Sequence, residues 1–223
     1  MDKYYINITN KCDYACPFCC MYSSPNNNGF MSFNTLYDII EKITTPTVVQ
    51  LEGGEPLLHP NIVLFLEYLA SKELVSEIVI DTNAVHLNHY IDSIVAVSER
   101  NKKQITIKPS YNSYLKTQNQ RLAHELNIII SACQFLEHIR FNINVRAYDE
   151  EELRQLCEEI KPLPHDAYLF NRYGRAENRE DLSEPYITKV FDIWTLFAHD
   201  GTNFGNNLKA RSEYEHSNFS TNS

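Results

Sequence analysis

Strand-like and helix-like segments alternate along this chain at a spacing that leaves little choice of architecture. Tyr4 to Thr9 is rich in β-branched and aromatic residues and reads as a first strand. Leu36, Ile39, Ile40 and Ile43 then recur at helical spacing behind Ser32, a residue type suited to capping, and predict a helix from about Phe33 to Ile43. Thr47–Leu51, Glu77–Asp81, Gln104–Lys108, Arg140–Val145 and Ala167–Asn171 read as further strands, with helices over Asn61–Lys72, His89–Ser98 and Glu150–Ile160 between them. Leu115 to Phe135 fits one helix or two, although the β-branched run Ile128-Ile129-Ile130 pulls toward strand. Strands separated by helical segments of this length pair in parallel through right-handed crossovers.

Six such units in 223 residues fall short of a complete eight-unit barrel, which typically takes about 250 residues. The expected fold is therefore α/β, a partial (β/α)6 barrel of parallel strands with outer helices. Its core is expected over residues 1–177, a helical extension over 178–200 built on Pro185 to His199, and a polar, flexible tail over 201–223. In such sheets the reactive groups collect at the carboxyl ends of the strands.

Composition narrows the function. Hydrophobic residues at 43% and charged residues at 22% are those of a soluble globular protein. No apolar run approaches the roughly 20 residues that span a bilayer, and Met1-Asp2-Lys3-Tyr4 lacks a secretory pattern. A cytoplasmic protein without membrane contact is expected. A net charge of −9 excludes broad nucleic-acid binding, which needs a basic surface. Of six cysteines, Cys12, Cys16 and Cys19 crowd into one loop with Cys20 beside them, which argues for metal chemistry in a reducing compartment rather than a disulfide framework.

That loop follows the first strand. In Asn7-Ile8-Thr9-Asn10-Lys11-Cys12-Asp13-Tyr14-Ala15-Cys16-Pro17-Phe18-Cys19-Cys20, the residues Cys12, Cys16 and Cys19 have a C-x3-C-x2-C spacing. A cubane iron–sulfur cluster normally takes four thiolates, so three would leave one iron open. Pro17 keeps the loop out of a helix, where the side chains would diverge. Zinc with a distant fourth ligand, or packed thiols, are the alternatives on spacing alone, although no second zinc knuckle is present. With Phe18 just before the third cysteine and Leu51-Glu52-Gly53-Gly54-Glu55-Pro56 downstream, the chain resembles the radical S-adenosylmethionine (radical SAM) family.

The resemblance implies a [4Fe-4S] cluster on Cys12, Cys16 and Cys19 as metal ligands, with S-adenosyl-L-methionine chelating the open iron. Gly53, Gly54 and Glu55 would hold its methionine moiety, with Glu52 a weaker candidate. Asn83, Ser110 and Asn144, near the ends of strands three to five, would face the ribose or methionyl carboxylate, although Asn and Ser also favour turns there. Phe18 and Gly174, within Tyr173-Gly174-Arg175, would lie on the adenine side. The implied reaction passes one electron into the sulfonium, releases methionine and a 5′-deoxyadenosyl radical, and removes a hydrogen atom from a substrate. An external donor such as a flavodoxin or ferredoxin would supply the electron. The substrate would be a ribosomally made peptide, or alternatively a nucleoside or other small metabolite. A non-catalytic electron-transfer or sensing iron–sulfur protein is the competing class, with four protein ligands to its cluster.

Cys20 is a candidate hydrogen donor, a substitute for Cys19, or a packed thiol. Cys133 and Cys157 fall in helical segments and read as core residues, too few and scattered for an auxiliary cluster. His86 and His89 stand three apart without an evident acidic partner. Tyr111 and Tyr114, beside the fourth strand, would line a pocket or fill the core.

Overall fold

The computed structural model describes residues 2–19 and 21–169. Parallel strands β1 (Asp2–Thr9), β2 (Thr47–Gly53), β3 (Val75–Thr82), β4 (Gln104–Tyr111), β5 (Ile139–Phe141), β6 (Ile143–Ala147) and β7 (His165–Leu169) form one sheet of order β1-β2-β3-β4-β6-β7, with β5 also on β4. Helices α1 (Phe33–Ile40), α2 (Ile62–Ala70), α3 (Leu87–Asn101), α4 (Ser113–Gln118), α5 (Leu122–Cys133) and α6 (Glu150–Glu159) supply the crossovers. The result is the expected partial barrel of parallel strands with flanking helices. The expected helical extension and tail, together with Gly174, lie outside the described residues.

Strand periodicity divides the sheet into two faces. Val49, Leu51, Ile78, Ile80, Ile105, Ile107, Ile143 and Val145 belong to the buried apolar core, where α2 contributes Phe65, Leu66 and Leu69, all fully buried. Burying each such side chain stabilises the fold by about 1.5–3 kcal/mol before entropy is counted. Alternate positions carry polar residues: Gln50 and Glu52 on β2, Asp81 on β3, Lys108 and Ser110 on β4, Asn144 and Arg146 on β6. That chemistry suits a face meeting a polar ligand better than one meeting a helix.

Local signals account for most boundaries. The Ser32 hydroxyl accepts from Thr35 N at 3.1 Å at the start of α1, and the Asp149 carboxylate accepts from Glu152 N at 2.9 Å at the start of α6. The segment from Leu115 to Phe135 holds two helices, and its Ile128-Ile129-Ile130 run sits within α5, whose Leu126, Ile129 and Cys133 are buried at helical spacing. Tertiary burial overrides β-propensity there. The fifth strand is interrupted at Asn142, whose N–H donates to Ile107 O at 3.0 Å. Beyond it, Asn144 and Val145 pair with Ser110 and Tyr111 on β4 while Ile143–Ala147 pairs with β7.

Candidate active site

The three-cysteine loop leaves the carboxyl end of β1 and is fastened along both of its flanks. Thr9 Oγ1 donates to Gly29 O at 2.7 Å, and Cys12 N donates to Ser24 O at 3.2 Å. Asn27 Nδ2 ties the loop internally by donating to Asn10 O and Tyr22 O, each at 3.1 Å. Around Pro17 the chain makes a turn in which Cys19 N donates to Cys16 O at 3.1 Å. Cys12 is buried, and Cys16 and Cys19 are half-buried.

The Gly53-Gly54-Glu55 turn docks directly against this loop. Gly54 N donates to Thr9 O at 2.7 Å and Glu55 N to Lys11 O at 2.8 Å. A Cβ on Gly53 would lie 2.2 Å from Thr9 O, and one on Gly54 would lie 2.0 Å from Lys11 O. Gly53 also has a φ of 131°, outside the range of ordinary side-chain-bearing residues. The close approach that these glycines allow is thus to the chain's own backbone, and it seats the cysteine loop on the end of β2.

Glu55 is fully buried, and its carboxylate is engaged within the fold. Oε1 accepts from Leu57 N at 2.9 Å and from Thr82 Oγ1 at 2.8 Å. Oε2 accepts from Asn83 N at 2.6 Å. Burial pushes its pKa up to about 7, opposed by the hydrogen bonds from Asn83, Leu57 and Thr82.

The turn after β3 brings a second set of groups to the same loop. Asn83 Nδ2 lies 3.1 Å from Asp13 Oδ2 and 3.8 Å from Cys12 Sγ. Asn83 Oδ1 accepts from Val85 N at 2.9 Å. His86 Nε2 lies 2.8 Å from Asp13 Oδ1, so His86 has the acidic partner that no local sequence pattern supplies. Asp13 and His86 are site residues that spacing rules do not find, because the two positions are far apart in the chain. Their signal is indirect: a carboxylate inside the cysteine loop, and a turn with polar residues at the end of a strand.

Of the remaining predicted residues, Ser110 lies near the carboxyl end of β4, whereas Asn144, expected near a strand end, is the second residue of β6. Ser110 and Asn144 are register partners on adjacent strands, and Asn144 faces Asp166 on the next. Gln50 Nε2 donates to Asp81 Oδ2 at 2.6 Å and to Glu52 Oε2 at 3.0 Å. Burial, then Asp81, pushes the Glu52 pKa up, and burial raises that of Asp81 against the pull of Arg146, Lys108 and Lys3. Phe18 packs edge-on against Tyr114, with centroids 6.1 Å apart, and against Tyr148 at 6.2 Å. Tyr14 meets the same Tyr114 ring at 6.2 Å. Tyr111, by contrast, is a core residue whose hydroxyl donates to Glu159 at 2.7 Å. Cys133 is buried and Cys157 half-buried, both distant in sequence from the loop. Cys20 lies outside the described residues.

The loop's donor chemistry fits an iron–sulfur cluster. Burial pushes the Cys12 thiol up; a Tyr14 backbone hydrogen bond pulls it down, the Glu55 and Asp13 carboxylates push it up, and the Asn83 amide pulls it down. Such a thiol ionises when a metal takes the charge. Among the described residues, no three His, Cys, Asp or Glu side chains are grouped as ligands of a single metal ion. A lone zinc draws its thiolates to one point at about 2.3 Å, whereas a cubane offers separate iron corners to separate cysteines. Three thiols on one irregular loop are donors of the kind such a cluster takes.

Fold and site together define an open parallel α/β barrel that carries a three-thiol loop and a Gly-Gly-Glu turn at its carboxyl edge. Residues 6–161 match the model of the Radical SAM superfamily, and the chain belongs to that superfamily of enzymes. It is 23% identical over 170 residues to the GTP 3′,8-cyclase of Aquifex aeolicus, a match covering 71% of this chain and 52% of that one. It is 29% identical over 96 residues to the GTP 3′,8-cyclase of Hydrogenovibrio crunogenus, covering 40% of this chain and 29% of that one. The matched stretches thus span about half the length of these curated relatives, or less. In fold the chain is similar to Streptococcus suis SuiB bound to S-adenosylmethionine, with a TM-score of 0.56, 18% identity, and coverage of 90% of this chain and 48% of that one. It is similar also to SuiB bound to precursor peptide SuiA, with a TM-score of 0.53 and 19% identity, covering 89% of this chain and 46% of that one. No helix among the described residues is long and apolar enough to cross a membrane.

Proposed function

We propose that this protein is a radical SAM enzyme that abstracts a hydrogen atom from its substrate, with a [4Fe-4S] cluster on Cys12, Cys16 and Cys19 and S-adenosyl-L-methionine beside it. The observation that carries this reading is the docking of the Gly53-Gly54-Glu55 turn onto the cysteine loop through Gly54 N to Thr9 O and Glu55 N to Lys11 O. The two parts of the signature, separate in sequence, become one structural unit at the carboxyl edge of the sheet. When bound, the cluster and S-adenosylmethionine supply the electron transfer and radical chemistry.

The chain's own residues position and shield. The Gly53–Gly54 backbone offers polar groups to the methionyl end of the nucleoside, with Glu55 fixing that backbone from below through its buried hydrogen bonds. Ser110 and Asn144, side by side across β4 and β6, offer a hydroxyl and an amide to the ribose or carboxylate. Phe18, held by Tyr114 and Tyr148, gives the adenine side an apolar wall and excludes water. Asn83 stands beside these groups with its amide engaged by Asp13, Cys12 and Val85, so its part is to hold the cysteine loop. An external donor such as a flavodoxin or ferredoxin delivers the electron.

The substrate class proposed first is a ribosomally made peptide, entering across the open side of the partial barrel; the fold likeness to SuiB, a protein seen with a precursor peptide, supports it. A nucleoside or nucleotide is the second reading, favoured by the sequence relatives named as GTP 3′,8-cyclases. Anaerobically reconstituted protein, given dithionite and S-adenosylmethionine, is expected to release 5′-deoxyadenosine. Deuterium passing from a labelled peptide or from labelled GTP into that product would identify the class. Reconstituted protein that releases no 5′-deoxyadenosine with either candidate present would overturn the reading.

A further inference from the structure

The turn between β3 and α3 carries more polar groups than a connection needs, and they point at the cysteine loop. Asn83 Nδ2 has two hydrogens and two acceptors in reach: Asp13 Oδ2 at 3.1 Å and Cys12 Sγ at 3.8 Å. The far oxygen of the same carboxylate meets His86 Nε2 at 2.8 Å. The Asn83 amide oxygen is held by Val85 N at 2.9 Å, which fixes which way the amide nitrogen points. Its backbone N–H is fixed in turn by Glu55 Oε2 at 2.6 Å. Ala84, the next residue, has a φ of 68°, a left-handed conformation that is unfavourable for a residue with a Cβ. Strain of this kind persists where surrounding contacts impose it, and it collects at functional sites.

We propose that Asp13, Asn83 and His86 form a clamp that holds the Asn83 amide N–H on the Cys12 sulfur and thereby sets the reduction potential of the cluster bound there. The inference rests on the cluster reading of the loop. A hydrogen bond to a ligating sulfur stabilises negative charge, and reduction adds one negative charge to the cluster, so the donor favours the reduced form. His86 acts through Asp13 and is a positioning residue: it takes one carboxylate oxygen, leaving the other to orient the amide. Partners one step removed from a metal ligand commonly change its properties in this way.

The test is a redox titration, followed by electron paramagnetic resonance, of reconstituted full-length wild type, Asn83→Leu, His86→Leu and His86→Gln. Asn83→Leu removes the donor at similar size, and its expected effect is a tenfold less favourable reduction, a fall of about 59 mV for one electron. His86→Leu is expected to move the potential in the same direction by a smaller amount. His86→Gln, whose Nε2 can still donate to Asp13, is expected to match wild type. Should Asn83→Leu fail to fold by thermal melting, the His86 pair alone decides. A wild type that assembles no cluster overturns both this clamp and the proposed function. A loaded wild type whose His86→Leu variant stays within twofold in reduction equilibrium, or whose His86→Gln variant shifts as far as His86→Leu, overturns the clamp and leaves the proposed function standing.

Discussion

The Glu55 carboxylate accepts the Thr82 hydroxyl at 2.8 Å, inside the protein, and so ties the end of β2 to the end of β3. Two backbone donors, Leu57 N and Asn83 N, converge on the same group. Removing that acceptor leaves buried donors unpaired, at about 1–3 kcal/mol in all but the best-compensated cases. Glu55→Ala is therefore expected to destabilise the fold by that amount or more in urea unfolding. Glu55→Gln keeps a carbonyl acceptor and should recover part of the loss.

The same residue gives stability a pH dependence of defined sign. Burial raises the Glu55 pKa in the folded state to about 7, above the ordinary carboxyl value of 4.5. The folded state thus holds a proton that the unfolded chain has released between those values. Its contribution is fully present below the unfolded pKa and is lost as pH rises through about 7. The loss attributable to this group is of order 3 kcal/mol across the window. Urea unfolding of wild type and Glu55→Gln at several pH values between 4.5 and 7.5 should give a downward slope that the variant lacks in part. Glu52 and Asp81, also raised, contribute slopes of the same sign that both proteins share.

On the proposed reading Cys12, Cys16 and Cys19 are expected to be individually indispensable for the cluster, since each would serve a separate iron. Replacing any one with Ala should lower iron and sulfide content after anaerobic reconstitution by at least tenfold and abolish 5′-deoxyadenosine release. Cys157→Ser, in a half-buried helical position, should keep both. Iron content equal to wild type in all three loop variants would contradict the ligand assignment.

Legibility in the sequence followed the range of the interaction. The parallel α/β barrel was readable because each strand and crossover helix has its own period, and Ser32 signals its helix start within three residues. The cysteine loop and the Gly-Gly-Glu turn were readable as short motifs. The role of Glu55 was not, because a residue's identity does not say whether its carboxylate faces a ligand or accepts from Thr82 and Asn83 inside. The pairing of Asp13 with His86 was hidden for a related reason: it spans 73 positions and exists only once the turn after β3 has folded onto the loop after β1. The interruption at Asn142 likewise depends on its bond to Ile107, which no periodicity in residues 139–147 encodes.

Tyr111 and Glu159 join β4 to the end of α6 through a hydroxyl donated to a carboxylate at 2.7 Å. The ring is buried, and burial first, then the bond to Glu159, holds the phenol well above its usual pKa. It is therefore neutral and a donor at any working pH. Tyr111→Phe removes the hydroxyl while keeping the ring in the core, so the expected loss is that of one hydrogen bond to a charged group, about 1.5–3 kcal/mol, reduced by the partial exposure of Glu159. Thermal melting of Tyr111→Phe checks it, with an unchanged melting temperature counting against the bond.

Gly54 provides the sharpest separation between folding and site assembly. A methyl group there would lie 2.0 Å from Lys11 O and 2.6 Å from Lys11 C, and these are backbone atoms that cannot rotate aside. The strand core of β2, residues 47–51, pairs with β1 and β3 independently of this contact, so the sheet can persist while the cysteine loop is pushed off its seat. Overpacking of this kind typically costs 1–3 kcal/mol. Gly54→Ala is expected to lose about that much stability, measured by urea unfolding, with its far-ultraviolet circular dichroism unchanged. Reconstituted iron content should fall several-fold more than stability alone explains, because the displaced loop carries all three thiols. A variant that binds iron as wild type does would show that the turn and the loop do not need to meet.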